Sequence, residues 1–148
     1  RPRTIVTSIA SPTYKDFAAA LGPLAEGVNP AGCGHHATTY VSDDVFGSTQ
    51  AFYKAFVEQE GVDPDYVHAS SAAALSALQA AIEAAGSIEP EKVRAVLRDL
   101  SIITFYGPID FGEVGMNGGR DLPIIQVQGG KVVVLFPEAI KQAEMAPF

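Results

Sequence analysis

Cysteine occurs once in the 148 residues, as Cys33, which excludes an internal disulfide and says little about the redox compartment. Basic residues are scarce: ten Lys and Arg stand against seventeen Asp and Glu, for a net charge of −7 and a pI near 4.8. Scattered along the chain, they form no basic stripe for a phosphate backbone, which sets nucleic acid aside as a partner. Long apolar runs are missing too. The longest, Val132 to Phe136, falls far short of the roughly 20 residues a membrane helix needs, and no basic-then-apolar leader opens the chain at Arg1. The expectation is a soluble polypeptide from which any leader is already gone. Gly32-Cys33-Gly34 and the glycines from Gly112 to Gly119 have neither the spacing of a dinucleotide fingerprint nor the Lys-Ser/Thr of a phosphate loop, and read as turns and hinge backbone.

What the chain has is apolar material for a core, 47% of its residues, at a length that suits one domain. Thr4 to Ile9 is a short β-branched run predicted as a strand, with Ser8 to Pro12 as the loop leaving it. Tyr14, Phe17, Ala18 and Leu21 fall at helical spacing and are stopped by Gly22-Pro23, which completes a βα unit. Breaker-rich Asn29 to Gly34 and a weakly extended Ala37 to Val41 follow. Ser48 is placed to cap a helix with Phe52, Phe56 and Val57 facing inward, and Gly61 to end it in the left-handed conformation. Val62 to Val67 is predicted as strand-like. Ser70 or Ser71 then opens an Ala-rich helix with Leu75, Leu78 and Ile82 as its apolar stripe and Gly86 as its close. Glu89-Pro90-Glu91 begins a helix buried through Val93, Val96, Leu97 and Leu100.

Beyond residue 100 the pattern turns to β-structure. Phe105 to Phe111 reads as a core strand, a Gly-rich turn runs to Gly119, and Ile124 to Gln128 and Lys131 to Phe136 read as two more strands. Gly129-Gly130 between them is able to take the positive φ values of a primed hairpin turn, so these two strands are expected to be antiparallel neighbours. Pro137-Glu138 is positioned to start a short terminal helix. The class is α/β with antiparallel additions at the end.

Three blocks carry a family likeness: Leu21-Gly22-Pro23-Leu24-Ala25-Glu26-Gly27-Val28; Pro64-Asp65-Tyr66 through His68-Ala69, Ala72 and Leu78 to Ala81-Ile82-Glu83-Ala84-Ala85-Gly86-Ser87; and Gly107-Pro108-Ile109-Asp110-Phe111 with Gln126-Val127-Gln128-Gly129-Gly130-Lys131. In this order they resemble the C-terminal portion of type I periplasmic ligand-binding proteins, the branched-chain and aromatic amino-acid binders of bacterial ABC importers. The resemblance implies part of a two-lobed fold, with parallel strands, flanking helices and a C-terminal antiparallel hairpin. It implies residues 1–30 in the second lobe, 31–133 in the first, and 134–148 returning to the second with a terminal helix. Hinge crossings are then expected near Val28 to His36 and near Val132 to Phe136. The implied activity is not enzymatic: a small amino acid or organic carboxylate is captured between the lobes by hinge closure and presented to a membrane permease, in the periplasm or on a lipid anchor, with no cofactor. Taken as a fragment, the chain is expected to leave apolar strand edges unpaired and to self-associate.

The same resemblance directs attention to the loop Ser8 to Tyr14, with Ser8, Ser11 and Tyr14 as candidate ligand contacts, and across the cleft to His36, His68 and Ser70. Amino-acid binders of the family commonly place a carboxylate in that first loop to meet the ligand's ammonium. None lies between Ile9 and Lys15, which favours an aromatic or aliphatic carboxylate ligand. His68, read as standing at a strand end beside a helix N-terminus, suits an anionic ligand and equally suits a role in capping that helix. Tyr14 reads more readily as the first member of its helix's apolar stripe. Cys33, His35 and His36, with Asp43 and Asp44 nearby, form the densest set of metal-type ligands, but adjacent histidines on an extended strand face opposite ways. A sensory module of the same fold, and a small hydrolase or metalloenzyme built on Cys33, His35 and His36, are the alternative readings.

Overall fold

Two groups of elements, each with its own core, make up the computed structural model, which describes residues 4–8, 13–31 and 37–147. In chain order the elements are β1 (Ile5–Thr7), α1 (Lys15–Leu21), β2 (Val28–Pro30), α2 (Thr49–Glu60), α3 (Tyr66–Ala85), α4 (Pro90–Asp99), β3 (Ser101–Thr104), β4 (Gly107–Asp110), β5 (Ile124–Gln128) and β6 (Lys131–Phe136). Short 3-10 turns lie at Gly22–Ala25 and Glu138–Ile140. Cys33, His35, His36 and Ser11 lie outside the described residues.

The first group joins the two ends of the chain. β1 and β2 pair in parallel, Ile5 opposite Val28, and β5 and β6 pair antiparallel down to Gln128 opposite Lys131. Ala31 bridges Ile124 and the Gly27 amide donates to the Val127 carbonyl at 2.9 Å, so the two pairs lie side by side. Gly129 and Gly130 take φ values of 59° and 72°, the left-handed pair that a primed two-residue turn requires. Ala37, Ile125 and Val134 form the apolar centre here. Buried polar side chains tie the layers together because each finds backbone partners. Gln126 donates to the carbonyls of Gly27 (3.2 Å) and Ala146 (2.9 Å) and accepts from the Ala146 amide (2.8 Å). Asn29 donates to Thr4 Oγ1 at 2.7 Å and to the Gly27 carbonyl at 2.9 Å.

The second group packs α2, α3 and α4 with the β3–β4 hairpin. Its centre is aromatic: Phe52 stacks on Phe105 with centroids 4.1 Å apart, and Phe46 meets both edge on. Asp44 organises the loop that delivers Phe46, accepting from Ser42 Oγ and the amides of Phe46 and Gly47, while its second oxygen takes the Phe105 amide at 2.7 Å. Residues 37–38 link the groups: Gln142 donates to the Ala37 carbonyl and Gln50 to that of Thr38.

Several elements match the sequence reading, because their signals are local. Ser48 accepts from the Ala51 amide at the start of α2, Gly61 closes it at φ 71°, and Gly86 closes α3 at φ 57°. Others differ. The segment 62–65 forms no strand; Asp65 caps α3, which begins at Tyr66 rather than near Ser70, because the Asp65 carboxylate accepts from the Val67 and His68 amides at 2.9 and 3.1 Å. Ala37 to Val41 forms no strand either, and only Val41 makes an isolated bridge, to Ser48. Phe105 and Tyr106 are not in a strand but turn β3 into β4, with Thr104 Oγ1 donating to the Gly107 carbonyl and accepting from the Tyr106 amide. The end of the chain makes a 3-10 turn at Glu138–Ile140 in place of a helix.

The face of α3 is the largest difference. Leu75 is 66% exposed and Leu78 40%, whereas Ala69, Ala73, Ala77 and Ala81 are buried. Small side chains let the helix lie close against Phe52, Phe105 and Ile109, and that aromatic volume fills the space leucines would need.

Candidate ligand-binding site

Tyr14 precedes α1 in the first group, and Tyr66 is the first residue of α3 in the second. Their rings meet edge to face with centroids 5.6 Å apart, so the pair spans the gap between the two groups. The Tyr14 phenol is pushed up to about 12 by its hydrogen bond with Tyr66, by burial, and by the negative charge of nearby Asp65. Each of these favours the neutral phenol. Two phenols of this kind offer flat apolar faces together with hydroxyls that both donate and accept, a surface that suits an aromatic or planar polar solute.

The Tyr66 end is rigidly built. Asp65 and His68 cap α3 reciprocally: the Asp65 carboxylate takes the two helix amides, and the Asp65 amide donates to His68 Nδ1 at 3.2 Å. The His68 ring also lies 4.9 Å from that of Phe56. The structure therefore places His68 in the helix cap, not at the end of a strand, and the amides of Val67 and His68 are already held by a carboxylate. An anion seeking them meets Asp65 instead. Ser70 lies within α3, where its hydroxyl donates back to the Val67 carbonyl at 3.1 Å. Ser8 is exposed just past the end of β1. Of the candidates, Tyr14 and the α3 start are brought together, and Ser11 and His36 lie outside the described residues. Tyr66 and Asp65 carry this geometry, although the sequence suggested them only as part of a motif block. The available signal was Asp65 ahead of a long alanine-rich run, a normal N-cap placement.

A cavity of about 650 Å³ opens elsewhere, beside α3 and the β3–β4 hairpin, walled by Asp43, Asp44, Ser76, Gln79, Glu83 and Ser101 among others. Its acidic wall is ill-suited to a carboxylate, and Asp44 is already spent on the hydrogen bonds described above. Among the described residues no three His, Cys, Asp or Glu converge as metal ligands, and no helix is long and apolar enough to cross a membrane.

Two solved structures are similar in fold. One is a leucine-binding protein, LivK, from Thermotoga maritima, with 24% identity and a TM-score of 0.64, over 80% of this chain and 33% of that one. The other is an ABC-transporter solute-binding protein from R. palustris in complex with benzoate, with 27% identity and a TM-score of 0.59, over 79% of this chain and 31% of that one. The chain thus spans about a third of the length of either. Residues 6–131 match the family model for periplasmic binding proteins, a stretch that holds β2 with most of β1, the Tyr14–Tyr66 contact and the capped α3 described above. The chain belongs to the periplasmic binding protein family.

Proposed function

We propose that the chain supplies part of a solute-binding component of an ABC importer, one that captures a small carboxylate or amino acid between two lobes and passes it to a membrane permease. The observation that carries this reading is the Tyr14–Tyr66 contact, which meets across the gap between two separately cored groups. Such a contact is the kind that a ligand entering the gap would open, replace and stabilise, so that capture shifts the population towards a closed form. No bond is made or broken in this function, and its place is the periplasm or the outer face of the membrane. The structural neighbours with leucine- and benzoate-binding names support a solute of that size.

The lobe division is part of the proposal. Residues up to about 30 belong to one lobe and the helical middle to the other. Residues 134–148 return to the lobe of the first thirty in this proposal, a reading supported by the side-by-side arrangement of the β5–β6 and β1–β2 pairs. Exposed Leu75, Leu78 and Ile103 support self-association of the 148 residues taken alone, which light scattering measures directly.

Mass spectrometry of small molecules released on denaturing the full-length protein tests the function. A stoichiometric small carboxylate or amino acid is expected. A protein that is released empty, and whose unfolding temperature neither leucine nor benzoate raises, overturns the reading.

A further inference from the structure

The β3–β4 turn and the loop after β4 meet at one arginine. Arg120 lies between β4 and β5, and its guanidinium carbon stands 4.2 Å over the ring of Tyr106, in the β3–β4 turn. Gly107 allows this approach: a Cβ there would come within 2.9 Å of Arg120 Cδ and 3.0 Å of the Tyr40 ring, and φ of 112° already excludes most side chains. The loop that delivers Arg120 is held firmly. Asn117 Oδ1 accepts from the amides of Asp110 and Gly119, its Nδ2 donates to the Pro108 carbonyl, and the Gly118 amide donates to the Asp110 carbonyl at 2.8 Å.

Despite this support, Arg120 Nε and Nη1 are buried with no acceptor. Asp110 and Asp121 are close in sequence, yet neither reaches those nitrogens. Guanidinium groups keep their charge, and a buried cation whose hydrogens find no acceptor is strongly disfavoured. The Tyr106 face offsets part of this through its quadrupole but supplies no acceptor atom.

We infer that Arg120, seated over the Tyr106 ring beside Gly107, is a binding site for a small carboxylate anion. The planar fork of the guanidinium matches a carboxylate in geometry and charge. Arg120 is only half-buried as a whole residue, so a modest rotation of its head brings the unsatisfied hydrogens to an anion arriving from solvent. The site lies among the residues that connect the two groups, apart from Tyr14 and Tyr66, and does not depend on which solute they take.

The test is a titration of the 148-residue chain with sodium acetate, against sodium chloride at equal ionic strength, following the arginine Nε–Hε cross-peaks by nitrogen–proton NMR. One cross-peak, assigned to Arg120 through the backbone, is expected to move and saturate with a dissociation constant of roughly 1 mM or tighter. Affinity, read in both proteins from the backbone amide cross-peak of Gly107, is expected to fall at least about tenfold in Arg120→Gln. Should that variant fail to fold, Tyr106→Leu, which removes the platform and keeps the charge, is expected to weaken the wild-type response. A wild-type Arg120 cross-peak that acetate leaves in place, or a Gly107 amide cross-peak that saturates equally in wild type and Arg120→Gln, overturns the inference.

Discussion

Glu26 holds the hairpin turn at Gly130: one carboxylate oxygen accepts the Gly130 amide hydrogen and the other accepts that of Gly129, at 2.9 Å. The two turn residues point consecutive amides the same way, and a single carboxylate takes both. A residue from the first motif block thus clamps the turn of the third across about a hundred positions of sequence.

Glu26→Ala is expected to lower stability by about 1–2 kcal/mol, since two charge-assisted hydrogen bonds are lost at a partly solvated site. Glu26→Gln, which keeps one acceptor oxygen, is expected to lose less. Urea-unfolding midpoints compare the three proteins. Equal midpoints mean that the clamp adds nothing to the fold.

The Tyr14–Tyr66 contact predicts a pH dependence at the alkaline end. The Tyr14 value rises from 10.0 in its ordinary state to about 12 in the folded one, so folding favours the protonated phenol. The stabilisation is therefore complete below pH 10 and fades as the pH climbs through about 12. Ultraviolet phenolate titration is expected to show Tyr14 ionising late in the wild type and closer to 10 in Tyr66→Phe. A Tyr14 titration that Tyr66→Phe leaves unmoved breaks the link between the two groups.

The two sides of α3 are expected to respond in opposite ways. Ala77 is 2% exposed against Phe52 and Phe105, so Ala77→Leu overpacks the aromatic core at a cost of about 1–3 kcal/mol. Leu75→Gln, on the open face, is expected to stay within roughly 0.5 kcal/mol in the monomer. Thermal unfolding at low protein concentration separates these outcomes; a large loss at Leu75 with none at Ala77 reverses the assignment of faces.

Removing the α3 cap carries a further consequence. Asp65→Ala leaves the Val67 and His68 amides without their acceptor and is expected to cost about 1 kcal/mol. Asp65→Asn retains an acceptor and is expected to recover most of it. Because Tyr66 is the adjoining residue, amide hydrogen exchange in the first turn of α3 should quicken in Asp65→Ala and little in Asp65→Asn. Identical exchange in both variants makes the cap irrelevant to how Tyr66 is held.

Much of the fold was legible in the sequence wherever one residue acts on its immediate neighbours. Ser48, Gly61, Gly86 and Gly129-Gly130 all behave as their chemistry demands, because caps and tight turns depend on φ, ψ and hydrogen bonds within a few residues. The start of α3 lies earlier than its serines suggest because two capping choices compete: Asp65 with His68 closes a reciprocal cap, while Ser70 bonds backward inside the helix. Tyr14 was legible as a site candidate, but its partner Tyr66 was not, since nothing local records which residue faces it across a gap.

The order of blocks from Leu21 to Lys131 was enough to determine the family, and the local punctuation was enough to determine where most helices end. Which face of α3 is buried, how Phe105 comes to sit in a turn, and how Glu26, Tyr66 and Arg120 find their neighbours were decided only in three dimensions. The reason is physical: burial and long-range hydrogen bonds depend on the volume and acceptors supplied by segments remote in sequence, and neither periodicity nor propensity encodes which segments those are.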